Sequence, residues 1–116
     1  MQFLLDRDKE YIKQILKAFE KIEIFVKPYE NSEEWYQHQE SFDAVLMNFI
    51  VIGESAAKIS EQLKNQYAQT PWSKIIGLRN IIAHNYIGIS ADRIWAIIKD
   101  YNPVFEEQFT QMLTNL

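Results

Sequence analysis

Apolar residues recur every three or four positions along most of the chain, which is the spacing of helices that bury one face. From Asp6 to about Lys27 they fall at Ile12, Ile15, Leu16, Phe19, Ile22 and Val26. The opposite face carries Lys9, Lys13, Lys17 and Lys21. Glu10–Lys13 and Lys17–Glu20 pairs make that stripe a solvated face; a track for RNA phosphates is the sharper alternative. Charge runs are usually solvated surface, so the first reading is preferred. Pro28 ends the helix, and Asn31-Ser32-Glu33-Glu34 reads as a loop and a new helix start.

A second helix is predicted from about Glu34 to about Tyr67, with room for a break. Its stripe is Phe42, Val45, Leu46, Phe49, Ile52, Ala56, Ile59 and Leu63. Gly53, Ala56 and Ala57 form a small-residue patch that lets a neighbouring helix come close. Phe49-Ile50-Val51-Ile52 is apolar on every face, which predicts deep burial or cover by a second subunit. A short third helix, about Pro71 to Ala83, carries Trp72, Ile75, Ile76, Leu78, Ile81 and Ile82, with Pro71 at its first position. It ends near His84-Asn85-Tyr86, and Gly88 follows. Ser90 reads as the N-cap of a fourth helix, with Asp92 in its first turn. That helix presents Ile94, Trp95, Ile98, Tyr101, Phe105, Phe109 and Met112, and Pro103 must kink or break it. The expected architecture is all-α, a four- to five-helix antiparallel bundle. With no repeat or linker, residues 1–116 read as one domain.

Composition narrows the chemistry. Only three glycines and three prolines occur, too few turn formers for most sheet folds. The absence of cysteine removes disulfides, thiolate metal sites and cysteine nucleophiles, and fits a reducing cytosol. The N-terminus shows no signal-peptide pattern and no apolar run is long enough to span a membrane, so a cytoplasmic protein is expected. The net charge of −4 argues against broad electrostatic attraction for nucleic acid. The charge is uneven, however. Glu30 to Asp43 holds five carboxylates and no Lys or Arg, whereas Lys58 to His84 carries Lys58, Lys64, Lys74 and Arg79 against Glu61 alone. A local basic surface remains open.

Histidine and arginine are rare: His38 and His84; Arg7, Arg79 and Arg93. Arg79 and His84 lie in the most apolar short helix. A permanently charged arginine among Ile and Leu is costly to bury, so that face should meet solvent or a second subunit. Residues five apart on a helix differ by about 140° in direction, so the two share a cleft only if the helix unwinds near His84. Histidine can move a proton near neutrality and arginine offers a fixed fork of donors to phosphate. Together they suit RNA cleavage with no metal or cofactor. On spacing alone a structural role outweighs this, since such pairs occur by chance in many helices. Trp72 and Trp95 read as core aromatics, Gly53 and Gly77 as helix-packing positions, Glu54 as the partner of a base or a solvent-facing group, and His38 as exposed.

Longer motifs shift the balance. Arg79-Asn80-Ile81-Ile82-Ala83-His84-Asn85-Tyr86 resembles the R-x4-H-x-Y motif of HepT-like toxins in the HEPN superfamily. Ile52-Gly53-Glu54-Ser55-Ala56-Ala57-Lys58-Ile59-Ser60 resembles the family's I-G-E-A-A-K stretch, and Pro71-Trp72 to Arg79-Asn80 its P-W-x-x-I-x-G-[ML]-R-N stretch. Ile94-Trp95 stands where the family places an apolar-Trp pair. The resemblance implies a HEPN-like bundle, a homodimer and a metal-independent endoribonuclease toxin acting on tRNA or mRNA. Arg79 and His84 match the family's active-site residues, and Asn80 the polar residue that follows the arginine. Tyr86 matches a tyrosine that a nucleotidyltransferase antitoxin modifies with AMP in some members. Two other classes stay open: a non-catalytic HEPN module that binds nucleotide or a nucleotidyltransferase partner, and a plain dimeric scaffold. An intact Arg79, His84 and Tyr86 favours the first reading.

Overall fold

In a computed structural model, which describes residues 2–116, the chain is a set of helices joined by short turns, with no strand among those residues. Helix α1 spans Gln2–Val26, α2 Ser32–Tyr36, α3 Gln39–Ala57, α4 Glu61–Gln66 and α5 Trp72–Asn85. A 3-10 turn, Tyr86–Gly88, follows α5. Helix α6, Ala91–Ala96, runs through a π turn, Ile97–Tyr101, into α7, Asn102–Asn115. The main packing is α1 on α3, α3 on α5 and α1 on α7. The neighbours are antiparallel: Gln14 meets Ser55 while Phe25 meets Ser41, and Phe19 faces Phe109. The expected all-α antiparallel bundle is what forms.

The predicted stripes make the core. Ile12, Ile15, Phe19, Ile22 and Val26 of α1 meet Phe42, Val45, Leu46, Phe49, Ile52 and Ala56 of α3, with Phe109 and Met112 closing from α7. Of the all-apolar run, Phe49 and Ile52 are buried, whereas Ile50 and Val51 are only half-buried by their own chain. On the lysine stripe Lys13 pairs with Glu10 at 3.6 Å, but Lys17 and Glu20 form no ion pair among the described residues.

The second helical stretch departs from expectation. The predicted second helix is three helices. Asn31 caps α2 by accepting from the Glu34 amide at 2.8 Å, and α2 stops at Tyr36. Ser60 caps α4, accepting from the Leu63 amide, and its own amide and hydroxyl both donate to Asp8 at 2.9 and 2.6 Å. A serine satisfied this way competes with helix continuation. It also gives Asp8, only 2% exposed, the partners a buried carboxylate requires. As expected, the last helical segment is broken at Pro103: α6 gives way to the π turn and a new helix, α7, starts at Asn102. Pro103 falls in the first turn of α7, where a missing N–H costs little, and the π turn before it absorbs the change of register. Between Pro28 and Gln39, outside the motifs, α2 buries Trp35 completely. Its indole Nε1 donates to Ser41 Oγ, and Trp95 lies 5.6 Å from its ring.

Candidate active site

Helix α5 lies along α3 through the stripe Ile75, Arg79, Ile82, which continues to Tyr86 just past its end. Ile75 and Ile82 are buried. Arg79 therefore leaves the helix on the side that faces α3, and its backbone is pressed close by Gly53. A β-carbon at Gly53 would stand 2.4 Å from Arg79 Cβ. The small-residue patch of α3 thus sets how near α5 comes. A β-carbon at Gly77 would meet nothing within 4 Å, so Gly77 is not a packing position as the pattern suggested.

Two carboxylates of α3 meet this stripe. Glu54 Oε1 lies 3.4 Å from Arg79 Nη1, and the arginine side chain is 22% exposed. Arg79 Nε donates to Asn80 Oδ1 at 3.2 Å, and Nη2 has no partner among the described residues. At the other end the Tyr86 hydroxyl donates to Asp43 Oδ1, and Gln39 Nε2 donates to the same oxygen at 2.7 Å. The Tyr86 phenol is held above its usual pKa, first by the hydrogen bond it gives Asp43, then by lost solvation and the Asp43 charge, with Gln39 opposing. Helix arithmetic explains the α3 side of the pairing: Asp43 and Glu54 are eleven residues apart, within about 20° of one face. On the other side Arg79 lies on α5, and the 3-10 turn that follows Asn85 places Tyr86.

His84 departs from expectation. Helix α5 runs on through Asn85, so His84 is still helical, roughly 140° round from Arg79. It is exposed and makes no hydrogen bond or ion pair among the described residues. One copy of the chain therefore does not gather Arg79 and His84 into one cleft. Asn80 is exposed beside Arg79. His38 is exposed as expected, stacked on Tyr29 at 4.7 Å. Trp72 and Trp95 pack against the core but are half-buried. An open apolar groove of about 370 Å³ lies beside the seam, lined in part by Phe49, Leu78, Ile81, Ile97, Tyr101 and Phe105. Ile81 and Tyr101 are more than half exposed there. Among the described residues no group of three or more His, Asp or Glu side chains is gathered as a metal site would need.

The family model described as "Ribonuclease HepT-like" matches residues 15–112. The chain belongs to the HepT-like ribonuclease family. Among its relatives, the "Probable ribonuclease HepT" of Thermococcus cleftensis is 25% identical over 90% of this chain and 94% of its own. A Methanocaldococcus jannaschii protein named as a gamma-glutamylcyclotransferase and "putative RNase" is 24% identical over 93% of this chain but only 48% of its own. A second protein of that organism, a "Putative RNase", is 32% identical over 56% of this chain and 60% of its own. This HepT-like chain thus spans about half the length of several curated relatives it matches. No solved structure matches it. No helix among the described residues is long and apolar enough to cross a membrane.

Motif reading finds Arg79, Asn80, His84 and Tyr86, and leaves Glu54 between two roles, of which the structure shows the paired one. It misses Asp43 and Gln39. The signal that could find Asp43 is its eleven-residue spacing from Glu54, which puts both carboxylates on the face that small residues bring against α5.

Proposed function

We propose that this HepT-like chain is a metal-independent endoribonuclease that works as a homodimer. The observation that carries this reading is on α5: a half-buried arginine with unpartnered donors, and an unpaired, solvent-facing histidine on a different face of the same helix. Strand cleavage by the ribose 2′-oxygen needs a base at the 2′-OH, an acid at the departing 5′-oxygen, and positive charge at the phosphorus. His84 supplies one proton-transfer group, and Arg79 presents guanidinium donors to the charged phosphorus centre. A second copy brings the second histidine. The apolar groove beside α5, with Ile81 and Tyr101 exposed at its edge, is the surface such a copy would cover. The substrate is tRNA or mRNA. The activity is that of a toxin, restrained by a nucleotidyltransferase antitoxin that adenylates Tyr86. An adenylate there stands about two helical turns from Arg79 on the same face, where its phosphate repels RNA and competes for the guanidinium.

Purified protein should cleave total RNA or tRNA in the presence of EDTA and scatter light as a dimer. Arg79→Ala and His84→Ala should each lower cleavage by about 100-fold or more with an unchanged helical circular dichroism spectrum. Mixing the two variants should restore no activity, because an exchanged dimer keeps only one His84 where the step needs two. An inert wild type leaves the non-catalytic module as the reading, and loss of cleavage in EDTA overturns the metal-free mechanism.

A further inference from the structure

The Tyr86 hydroxyl is the atom that an adenylate would occupy, and α3 already holds a carboxylate against it. Tyr86 belongs to a 3-10 turn rather than to α5 itself, beside Ile87, which is 97% exposed. The turn is open to a large partner, while the phenol is tied inward to Asp43 Oδ1. Gln39, one turn before Asp43 on α3, donates to that same oxygen at 2.7 Å and fixes the carboxylate's orientation. Glu54, the other acid on this face, is paired with Arg79 instead. The arrangement is a nucleophile, a base within hydrogen-bond reach and a third group that orients the base.

We infer that Asp43 is the general base for nucleotidyl transfer to Tyr86, so that this chain supplies part of the chemistry of its own silencing. The inference rests on the reading that Tyr86 is adenylated. In the step, Tyr86 Oη attacks the α-phosphorus of a nucleoside triphosphate held by the nucleotidyltransferase. The new bond is Oη–P. The bond between the α-phosphorus and its bridging oxygen breaks, pyrophosphate leaves with that electron pair, and the phenolic proton passes to Asp43. A carboxylate beside the phenol disfavours a free phenolate near neutrality, in keeping with the raised Tyr86 pKa. The proton must therefore leave during the attack, and Asp43 is the group placed to take it. Gln39 acts as a positioning residue. The product also loses the hydrogen that Tyr86 donated to Asp43, and it sets a phosphodiester anion against the Asp43 carboxylate once the proton has gone to solvent. The reaction is thereby made harder to reverse by the group that promoted it.

The test compares wild type, Asp43→Asn and Asp43→Glu, each incubated with the partner nucleotidyltransferase, magnesium and ATP, with Tyr86 adenylation followed by intact-mass spectrometry. Wild type should show a rate nearly flat between about pH 6 and pH 9, because the phenolic proton passes to Asp43 during the attack and no preformed phenolate is needed. Asp43→Asn should be slower by about 100-fold at pH 7 and should climb by up to tenfold per pH unit, as preformed phenolate takes over. Asp43→Glu keeps the base and should retain the flat profile at a rate within about tenfold of wild type. Asp43→Asn matching wild type at every pH overturns the inference, and so does a slowed variant whose pH profile stays flat, which marks a structural role. A wild type that is not modified on Tyr86 at all overturns the adenylation reading itself, and is told apart from these by needing no variant.

Discussion

Carboxylates behave differently on the two long seams of the bundle. Where α5 lies on α3, each inward carboxylate has a specific partner: Glu54 faces the Arg79 guanidinium and Asp43 accepts from Tyr86. Where α7 lies on α1, Glu106 faces Glu20 and Glu23, and none of the three forms an ion pair among the described residues. The second seam is held by apolar packing instead, with Phe19 and Phe109 ring centroids 6.3 Å apart and both residues buried. Hydrophobic burial alone is enough to join two helices. Partnered polar groups at a helix contact must be explained by something else. On the α3/α5 seam they hold the two side chains, Arg79 and Tyr86, that the proposed ribonuclease and its regulation require.

The strongest way to break the α3/α5 seam is at its narrowest point. Gly53→Ala adds a methyl group where only 2.4 Å separates its position from Arg79 Cβ. Neither atom is the free end of a flexible chain, so α5 must move. We expect a loss of about 1–3 kcal/mol in stability by denaturant titration, with cleavage falling alongside as Arg79 shifts. The same substitution at Gly77, which faces open space, is the control and should leave stability unchanged or raise it slightly through helix propensity. Equal effects at the two glycines would refute close approach as the role of Gly53.

Much of this seam is legible in the sequence. Arg79, His84 and Tyr86 stand in a motif, and the Gly53-Ala56-Ala57 patch announces a close helix contact. The period of 3.6 then gives the buried stripe of α3 residue by residue. Its ends are not legible, because they are decided across the chain. The break before Ser60 depends on Asp8, 52 positions away, and the burial of Trp35 depends on Ser41 and Trp95. Helix α5 ends at Asn85, within the His84-Asn85-Tyr86 stretch where its stop is expected, although Asn85 and Gly88 do not say at which residue it falls. That detail matters, because it decides whether one copy gathers Arg79 and His84. Asp43 is hidden for a related reason: in an acidic stretch it reads as solvated charge, and only the fold supplies its phenol.

A finer probe of the same seam is Glu54→Gln. Glu54 is half-exposed and offsets part of the Arg79 charge across 3.4 Å. Removing its charge leaves Arg79 better able to hold a phosphate. Because exposed ion pairs contribute only about 0–1 kcal/mol, binding of a non-cleavable RNA should tighten by no more than about fivefold. The gain should shrink as salt rises, as screening predicts. Fluorescence anisotropy at low and high salt measures both. Weaker binding by Glu54→Gln would mean that the carboxylate serves mainly to aim the guanidinium.

The smallest expected effect lies on the α1/α7 seam and runs in the opposite direction. Burial first, and then the charges of Glu23 and Glu20, hold the Glu106 carboxyl above its ordinary pKa of 4.5. A carboxyl raised in the folded state is harder to ionise there than in the unfolded chain. The fold therefore carries a penalty at neutral pH, and the penalty disappears as pH falls through the raised value to below 4.5. Glu106→Gln removes the charge and keeps the shape, so it should stabilise the protein near neutrality by at most about 0.5 kcal/mol. Its advantage should vanish once wild-type Glu106 is protonated. Paired thermal melts at neutral and acidic pH would show the two curves converging as pH falls. Lys27 and Lys99 line one cleft with Glu106 but form no ion pair with it among the described residues. Destabilisation by Glu106→Gln at neutral pH would reveal such a pair, and the contrast between partnered and crowded carboxylates on the two seams would then fail.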